Sequence, residues 1–393
     1  MPWTEVGLMD SRLCFIAACL RAEEPMNALC ARHGISRRVG YKWLERYQAD
    51  GVAGLAERSR ARQTQAHAIA ADTAASVRAL RAQHPRWGPR KLLAWLHAHH
   101  PDEAWPAAST LGDLLRREGL SEPRHHRVRE PPGRSPLPAP TAANECWSAD
   151  FKGWFRTGDG VRCEPFTVTD GYSRMILACE PVARVSAELV QPILTRLFRT
   201  HGTPRCLRTD NGSPFANRSG LGGLSALSVW LLMLDIWLER ITPGRPTQNG
   251  RHERMHRTLG EDTARPPAAT LSEQRARLEA WRVAFNTDRP HEALGQRCPA
   301  ALWQPSPRAF PETIPAWTYP EDHYIRPVNA KGYISWRDRP LYLTEALRGQ
   351  TVALAQRDDG DWAIRFRGFD LAVLGEAGGA VRRTGLRRTK PAG

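Results

Sequence analysis

The sequence predicts a multidomain protein with two N-terminal all-α helix-turn-helix modules, a central α/β domain and a small C-terminal β-barrel. Apolar residues recur at helical spacing as far as about residue 120, strand-like and helical segments alternate over residues 144–305, and short strand-like runs fill residues 323–378. Residues 123–143 are rich in Pro, Arg and His, cannot bury a core, and predict a basic linker.

The charge balance indicates a polyanionic partner. The 393 residues include 56 Lys and Arg against 41 Asp and Glu, a formal net charge of +15. Basic side chains held on one surface bind phosphates by displacing their counterions, whereas solubility alone is the competing interpretation. The eight cysteines are scattered without a C-x-x-C pair, so neither a zinc knuckle nor a disulfide framework is suggested, and a reducing cytoplasm fits best.

Residues 1–64 are expected to form the first helix-turn-helix module. Gly34 permits a tight turn within an apolar helical pattern, and Ser36 can cap the next helix. That helix would present basic and aromatic residues near its start, where a recognition helix meets the major groove. An ordinary helical hairpin with a solvated basic face is the alternative. The expected DNA contacts are Arg37, Arg38, Tyr41 and Lys42.

Residues 68–122 predict a second helical DNA-binding module, of winged or helix-turn-helix-like type. Ser109 or Thr110 would cap a short helix that ends in Arg116 and Arg117, and Gly119 would stop it. We expect both arginines to contact DNA.

Residues 144–305 predict an α/β domain in the order β-β-β-α-β-α, with a hairpin turn at residues 157–160 and an amphipathic helix over residues 186–200. The most apolar run, residues 224–238, is too short to cross a bilayer and contains Asp235, so we expect a buried helix. The apolar residues 13–20 lack a preceding basic region and predict a helix instead of a signal peptide. We expect no membrane association, and a bacterial cytoplasmic, nucleoid-associated location.

The C-terminal region alternates between apolar and polar residues. Five runs, YIRPV, GYISW, RPLYL, TVALAQ and DDGDWAIRF, predict the short strands of a small, SH3-like β-barrel over residues 323–378. Residues 379–393 form a basic tail.

Three acidic residues of the α/β domain lie where strand ends and helix starts converge. Asp150 is in the first strand, Asp210 ends a later strand, and Glu253 lies at the start of a helix. Carboxylate oxygens suit hard divalent ions, and two such ions can activate a nucleophile and steady a leaving oxygen in phosphoryl transfer. Asn211 and Asn249 each precede a glycine in a turn near an acid, and Asp170 ends the second strand. These last three residues are candidates for supporting the site.

The segment HERMH, residues 252–256, also matches the zinc-protease pattern H-E-x-x-H, in which His252 and His256 bind the ion and Glu253 is the base. Its surroundings are unfavourable for a zinc ion, because three basic residues crowd it, whereas the same charges suit a phosphodiester substrate. We expect Arg251, Arg254, His256 and Arg257 to contact DNA, although His256 could equally orient Glu253 or pack.

These residues resemble those of the integrase-core transposases with a D-D-E triad, specifically insertion-sequence family 481. The matching stretches are WSADFKGWF, TVTDGYSR, RTDNGSPFA, PGRPTQNGRHERMHRTL and FNTDRPHEALGQRCPAALWQPS. The resemblance implies a ribonuclease-H-like core over residues 144–305, with two Mg²⁺ or Mn²⁺ ions held by Asp150, Asp210 and Glu253. One departure is Gly260, where the similar transposases usually have a lysine expected to touch DNA.

The resemblance implies a DNA transposase that cleaves transposon ends and joins the new 3′-hydroxyl to target DNA. Its partner would be double-stranded DNA, both transposon ends and target, and two ends cut together imply a homo-oligomer on DNA. Two other interpretations stay open: a non-catalytic DNA-binding regulator, and a metal-dependent nuclease without strand transfer.

Overall fold

The computed structural model describes residues 7–58, 69–121, 137–217, 221–242, 246–375, 381–382 and 386–389. The chain divides into two compact units, Met1–Ala70 and Ala71–Gly393. Most of the predicted linker and of the predicted basic tail lies outside the described residues. Across the described part of the chain, none of the helices is long and apolar enough to span a membrane.

In the described residues of the first unit, three α-helices are followed by a short 3-10 helix, Gly51–Leu55, and the helical character agrees with the sequence prediction. The α-helices are α1 (Leu8–Arg21), α2 (Met26–Arg32) and α3 (Arg37–Asp50). Ser36 caps α3, since its Oγ accepts a hydrogen bond from the backbone N–H of Val39. At Gly40 an added Cβ would lie 2.5 Å from Cys30 Sγ, so glycine is what lets α3 pack directly on α2.

The second unit begins with three helices, α4 (Ala71–Gln83), α5 (Pro89–His99) and α6 (Ala108–Arg117). Gly119, at φ +70°, ends α6 as predicted. The predicted cap is wrong: α6 begins directly after the extended residue Ala107, so Ser109 and Thr110 lie inside its first turn.

The central domain is a mixed sheet covered by helices. Its strands are β1 (Trp147–Phe151), β2 (Phe155–Arg156), β3 (Arg162–Asp170), β4 (Ile176–Val182), β5 (Cys206–Thr209) and β6 (Trp237–Arg240). Its helices are α7 (Ala187–His201), α8 (Ala226–Met233), α9 (Gly250–Thr263) and α10 (Leu271–Thr287). The main strand order is β4-β3-β1-β5-β6, and the short β2 also pairs with β3. β3 is antiparallel to β4 and β1, whereas β1, β5 and β6 are parallel.

The two faces of the sheet follow the alternation of side chains along a strand. Phe166 and Val168 of β3 join the large hydrophobic core with α7 and α8. Thr167 and Thr169, on the opposite face, bond to histidines of α9. Helix α9 therefore packs on the face of the sheet opposite the large core.

The predicted buried helix over residues 224–238 is wrong in its second half. The helix ends at Met233, Asp235 takes a left-handed conformation at φ 56°, and the chain enters β6. β6 pairs in parallel with β5 and adds a strand that the predicted β-β-β-α-β-α order lacks. An apolar run cannot distinguish a buried helix from a buried parallel strand, because both are apolar throughout.

The C-terminal region is all-β. Its strands are β7 (Tyr324–Pro327), β8 (Tyr333–Trp336), β9 (Arg339–Tyr342), β10 (Thr351–Gln356), β11 (Trp362–Phe366), β12 (Phe369–Leu374), β13 (Val381–Arg382) and β14 (Arg387–Arg388). One sheet has the order β13-β12-β11-β10-β7 with β14 also on β12, and β8 and β9 form a hairpin. The sequence did not predict β12. This region shares one hydrophobic core with the central domain, where Phe369 stacks on Trp237 with ring centroids 6.0 Å apart.

Candidate active site

Asp150 and Asp210 lie on neighbouring parallel strands at the same level. β1 and β5 pair with Trp147 opposite Leu207 and Ser148 opposite Arg208. Continuing this register by two residues brings Asp150 beside Asp210, where parallel strands are about 4.8 Å apart. Side chains alternate between the two faces of a strand, and Ala149 of β1 and Leu207 of β5 face the large hydrophobic core. Asp150 and Asp210 therefore both point to the opposite face, which α9 covers.

Glu253 approaches the same point from the first turn of α9. Asn249 precedes this helix, and its side-chain Nδ2 donates to Asp150 Oδ2 at 3.4 Å, which ties the helix start to β1. The start of a helix favours negative charge, so the position suits a carboxylate. Glu253 is exposed and both aspartates are half-buried.

The pKa of Asp150 responds to the other two acids. Burial, together with the negative charges of Asp210 and Glu253, raises this pKa to about 7, while the hydrogen bond from the Phe151 N–H opposes the rise. A carboxylate is held near neutrality in this way when like charges share a site without a cation.

The donor set fits a divalent metal ion. Within the described part of the chain, none of the three carboxylates has a Lys or Arg within 4.0 Å. Negatively charged oxygen donors without a basic partner are the ligands that Mg²⁺ or Mn²⁺ prefers. A bound dication would also remove the mutual repulsion that raises the pKa of Asp150.

His252 and His256 attach α9 to the sheet. The Nε2 atoms of both rings lie 2.7 Å from Thr167 Oγ1, and His252 Nδ1 lies 3.1 Å from Thr169 Oγ1. Burial lowers the pKa of His252 to about 3 and that of His256 to about 2, so both rings are neutral.

Thr167 Oγ1 has three hydrogen-bonding neighbours, the Asp150 carbonyl at 3.1 Å and the Nε2 atoms of both rings. The hydroxyl has one hydrogen to donate, so at least one of the two Nε2 atoms donates to it. His256 Nδ1 lies 4.0 Å from Asp150 Oδ2.

A metal-binding grouping of Asp150, His252 and His256 exists, with donor atoms within 4.8 Å of one another. However, both nitrogens of His252 are already hydrogen bonded, and Glu253 is on the exposed side of the helix. This arrangement disfavours the zinc-protease interpretation of HERMH.

The three residues predicted to support the site, Asn249, Asn211 and Asp170, make different contacts. Asn249 reaches Asp150, as described. Asn211 Nδ2 donates to the Ile241 carbonyl at 2.5 Å and so joins the ends of β5 and β6. Asp170 is fully buried. Its carboxylate accepts hydrogen bonds from the backbone N–H of Asn144 and from the N–H and hydroxyl of Ser173, which stabilises the turn after β3. It lies opposite Trp147, at the other end of β1 from Asp150.

The predicted DNA-contacting residues are mostly exposed. Those exposed on α3 and α6 are Arg37, Arg38, Tyr41, Lys42, Arg116 and Arg117, and those exposed on α9 are Arg251, Arg254 and Arg257. His256 differs from them because it is buried against Thr167.

The sequence interpretation missed a cluster of basic residues beside α9. We define the cationic cluster as Lys91, Arg174, Arg254, Arg289 and His291. Burial and the charges of the other four members together lower the pKa of His291 to about 4. Burial likewise lowers the pKa of Lys91 to about 8, with Arg289 adding to the effect. Positive charges crowded in this way are stabilised when an anion binds.

The members of the cationic cluster come from separate parts of the second unit. Lys91 is on α5, Arg174 follows β3, and His291 follows α10. They are far apart in the sequence, so no local spacing links them. Only the packing of α5 onto the core, where Trp95 Nε1 donates to Asp288 Oδ1, brings them together.

Lys152 was also missed. It follows Asp150 by two residues and its side chain passes over α9 at Gly260, where an added Cβ would lie 2.8 Å from Cε and 3.1 Å from Nζ. Its charge contributes to the lowered pKa of His256, after burial and His252. Lys152 therefore uses the space that a side chain at position 260 would need.

The fold and the three carboxylates define a protein of the integrase-core class. The Integrase core domain family matches residues 140–246, and a second family of the same description matches residues 234–299. A Helix-turn-helix domain family matches residues 11–63, and a Homeodomain-like domain family matches residues 39–115.

Among curated proteins, the chain is 30% identical over 243 residues to the insertion element IS407 uncharacterized 31.7 kDa protein of Burkholderia multivorans (strain ATCC 17616 / 249), covering 58% of this chain and 82% of that protein. It is 27% identical over 219 residues to the insertion element IS476 uncharacterized 39.2 kDa protein of Xanthomonas euvesicatoria, covering 55% of this chain and 60% of that protein.

Two solved structures resemble this chain at low sequence identity and low TM-score. A chain of the simian T-cell lymphotropic virus intasome in complex with PP2A regulatory subunit B56 gamma gives a TM-score of 0.36 at 15% identity, over 80% of this chain and 98% of that one. The HTLV-2 integrase catalytic core domain in complex with magnesium gives 0.32 at 12% identity, over 41% and 97%.

The chain belongs to the family of insertion-element proteins with an integrase core. It is a DNA transposase, an enzyme of the D-D-E type, with N-terminal helix-turn-helix domains and a ribonuclease-H-like catalytic core.

Proposed function

We propose that this transposase hydrolyses a phosphodiester at each end of its element and then joins the exposed 3′-hydroxyl to target DNA, at one site formed by Asp150, Asp210 and Glu253. The single observation that supports this most is the register of β1 and β5, which continues to Asp150 opposite Asp210, while the charge of Glu253 also acts on the pKa of Asp150. Both steps are in-line phosphoryl transfers, so one set of residues can serve both.

The three carboxylates would hold two divalent ions, Mg²⁺ or Mn²⁺, which supply Lewis acidity and steady the attacking and leaving oxygens. The chain's own residues determine where that happens. Asn249 orients Asp150, the Phe151 N–H holds its other oxygen, and Gly212 N–H donates to Asp210 at 3.0 Å.

His256 is proposed as a positioning residue. Its Nε2 is held by Thr167 and its neutral Nδ1 faces Asp150, so the ring sets the distance between α9 and β1. Its burial makes a direct DNA contact less suitable than the sequence suggested.

The cationic cluster and Lys152 are proposed to hold the DNA strand that enters the site. Both adjoin α9, the helix of Glu253, and Arg251, Arg254 and Arg257 are exposed on the same helix. Phosphate contacts of this kind position a duplex without reading its sequence. The exposed residues at the start of α3 are proposed to contact bases in the major groove, and Arg116 and Arg117 to contact the backbone.

The proposal also covers the family, the C-terminal domain, the oligomeric state and the cellular location. We place the chain in insertion-sequence family 481, on the stretches quoted above. The C-terminal sheet and hairpin are proposed to be an SH3-like barrel, and the enzyme to act on DNA as a homo-oligomer, because two ends must be cut in concert. The site of action is the bacterial cytoplasm.

The test uses purified protein, Mg²⁺ and duplexes from the DNA that flanks the coding region. Asp150→Asn, Asp210→Asn and Glu253→Gln should each reduce end cleavage and joining by at least about a hundredfold while DNA binding persists. The matched control is Arg199→Ala, which removes a charge on α7 that is paired with Glu312. It should leave both reactions near wild type.

The outcomes separate the alternatives. Cleavage without joining would identify a nuclease. Sequence-specific binding with no metal-dependent nicking, in wild type and variants alike, would identify a regulator. Wild-type activity in all three acid variants would place the chemistry elsewhere.

A further inference from the structure

A second cluster of metal-binding side chains lies at the opposite end of the strands that hold the catalytic aspartates. Cys146 Sγ is 3.3 Å from Cys206 Sγ and 3.8 Å from Glu239 Oε2, and the three donor atoms all lie within 4.8 Å of one another. Cys146 directly precedes β1, Cys206 begins β5, and Glu239 is in β6.

The register that aligns the aspartates also aligns the cysteines. Because Trp147 pairs with Leu207, the preceding residues Cys146 and Cys206 are opposite each other. Each cysteine comes four residues before a catalytic aspartate on its own strand. The two clusters therefore lie on the same face of the sheet, at opposite ends of β1 and β5.

We propose that Cys146, Cys206 and Glu239 form a binding site for a soft divalent transition-metal ion of the zinc type, separate from the carboxylate site. Tetrahedral zinc with sulfur at about 2.3 Å and oxygen at about 2.0 Å holds its ligand atoms roughly 3.5–3.8 Å apart. The observed separations of 3.3 and 3.8 Å are close to these values, so binding needs only small side-chain adjustments.

The charges of this site balance when a dication is bound. Two thiolates and one carboxylate carry three negative charges, and the ion with the guanidinium of Arg208 supplies three positive ones. Arg208 Nε donates to Glu239 Oε2, and its Nη2 donates to the Pro138 carbonyl at 2.9 Å. A hydrogen bond of this kind to a ligating carboxylate fixes its orientation.

Binding of the ion removes the protons of both thiols: it forms two metal–sulfur bonds and releases two protons to solvent.

The proposal is tested with Co²⁺ as the probe and the full-length, reduced, metal-free protein. Wild type should develop a thiolate-to-cobalt charge-transfer band that saturates at one equivalent and is abolished by Zn²⁺ but not by Mg²⁺. Cys146→Ser and Cys206→Ser should lose the band, and Glu239→Gln should weaken binding by about tenfold or more. Cys298→Ser, which removes a similarly half-buried thiol elsewhere, should match wild type.

Two further measurements make the result decisive. Asp210→Asn should keep the band, because carboxylate sites give no sulfur charge transfer, so this test succeeds or fails independently of catalysis. Zn²⁺ should raise the melting temperature of wild type and not of Cys146→Ser. A band that is absent, or equal in the two cysteine variants and wild type, would overturn the proposal. So would a Cys146–Cys206 disulfide, seen by mass spectrometry, together with no metal uptake after reduction.

Discussion

His256 Nδ1 lies 4.0 Å from Asp150 Oδ2, and Nε2 of the same ring lies 2.7 Å from Thr167 Oγ1. The ring therefore lies between a hydroxyl group of β3 and a carboxylate of β1. Burial at this position, together with the charges of Asp210 and Glu253, raises the pKa of Asp150.

Stability and metal binding should both depend on pH through Asp150. Its pKa of about 7 exceeds the ordinary value of 3.8, so in metal-free protein its stabilising contribution is complete below about pH 4 and is lost as pH rises through 7. The loss should be on the order of 4 kcal/mol, and Asp150→Asn should remove that slope in urea unfolding. Mg²⁺ affinity should fall as pH drops below about 7, since the ion needs the carboxylate. An unchanged slope in the variant would contradict this assignment.

Thr167→Val should loosen α9 from the sheet. The hydroxyl lies 2.7 Å from the Nε2 atoms of two buried imidazoles, and valine would leave both nitrogens without this hydrogen-bond partner. We expect the free energy of unfolding to fall by about 2–4 kcal/mol and cleavage activity to fall with it. Thr167→Ser, which keeps the hydroxyl, should restore most of both. Equal losses in the two variants would show that the methyl group, and not the hydroxyl, is what matters.

Gly260→Ala should displace Lys152. An added Cβ would lie 2.8 Å from Lys152 Cε, whereas at Gly250, in the same helix, an added Cβ meets nothing within 4 Å. Alanine stabilises a helix by about 1 kcal/mol over glycine, so both variants should fold. We expect cleavage to fall several-fold in Gly260→Ala and in Lys152→Ala but not in Gly250→Ala. If Gly260→Ala were fully active while Lys152→Ala were not, the position of Lys152 would not depend on the space at Gly260.

The cationic cluster should determine the salt dependence of DNA binding. Lys91→Ala and Arg174→Ala should each weaken binding at all sequences alike and lower the slope of log affinity against log salt by about 1. Arg199→Ala, whose guanidinium pairs with Glu312, is the charge-matched control. A slope unchanged in the cluster variants would place the DNA path elsewhere on the molecule.

Much of the fold could be predicted because it depends on local patterns. Ser36 and Gly34 defined the helix-turn-helix, and the amphipathic helix α7 was predicted within one residue at each end. The errors arose where local patterns are ambiguous. The run over residues 224–238 is apolar throughout, so its division into α8 and β6 depended on Asp235 and on the free edge of β5.

The sequence alone determined the candidate triad and its surroundings, because Asp150, Asp210 and Glu253 each lie in a long, specific stretch. Tertiary structure alone decided what those residues meet. The pairing of β1 with β5 set the aspartates, and with them Cys146 and Cys206, at matching levels 60 residues apart in the chain. The role of His256 was likewise decided by Thr167, a strand residue 89 positions away. Contacts between distant segments follow from register and helix packing, which no local spacing encodes.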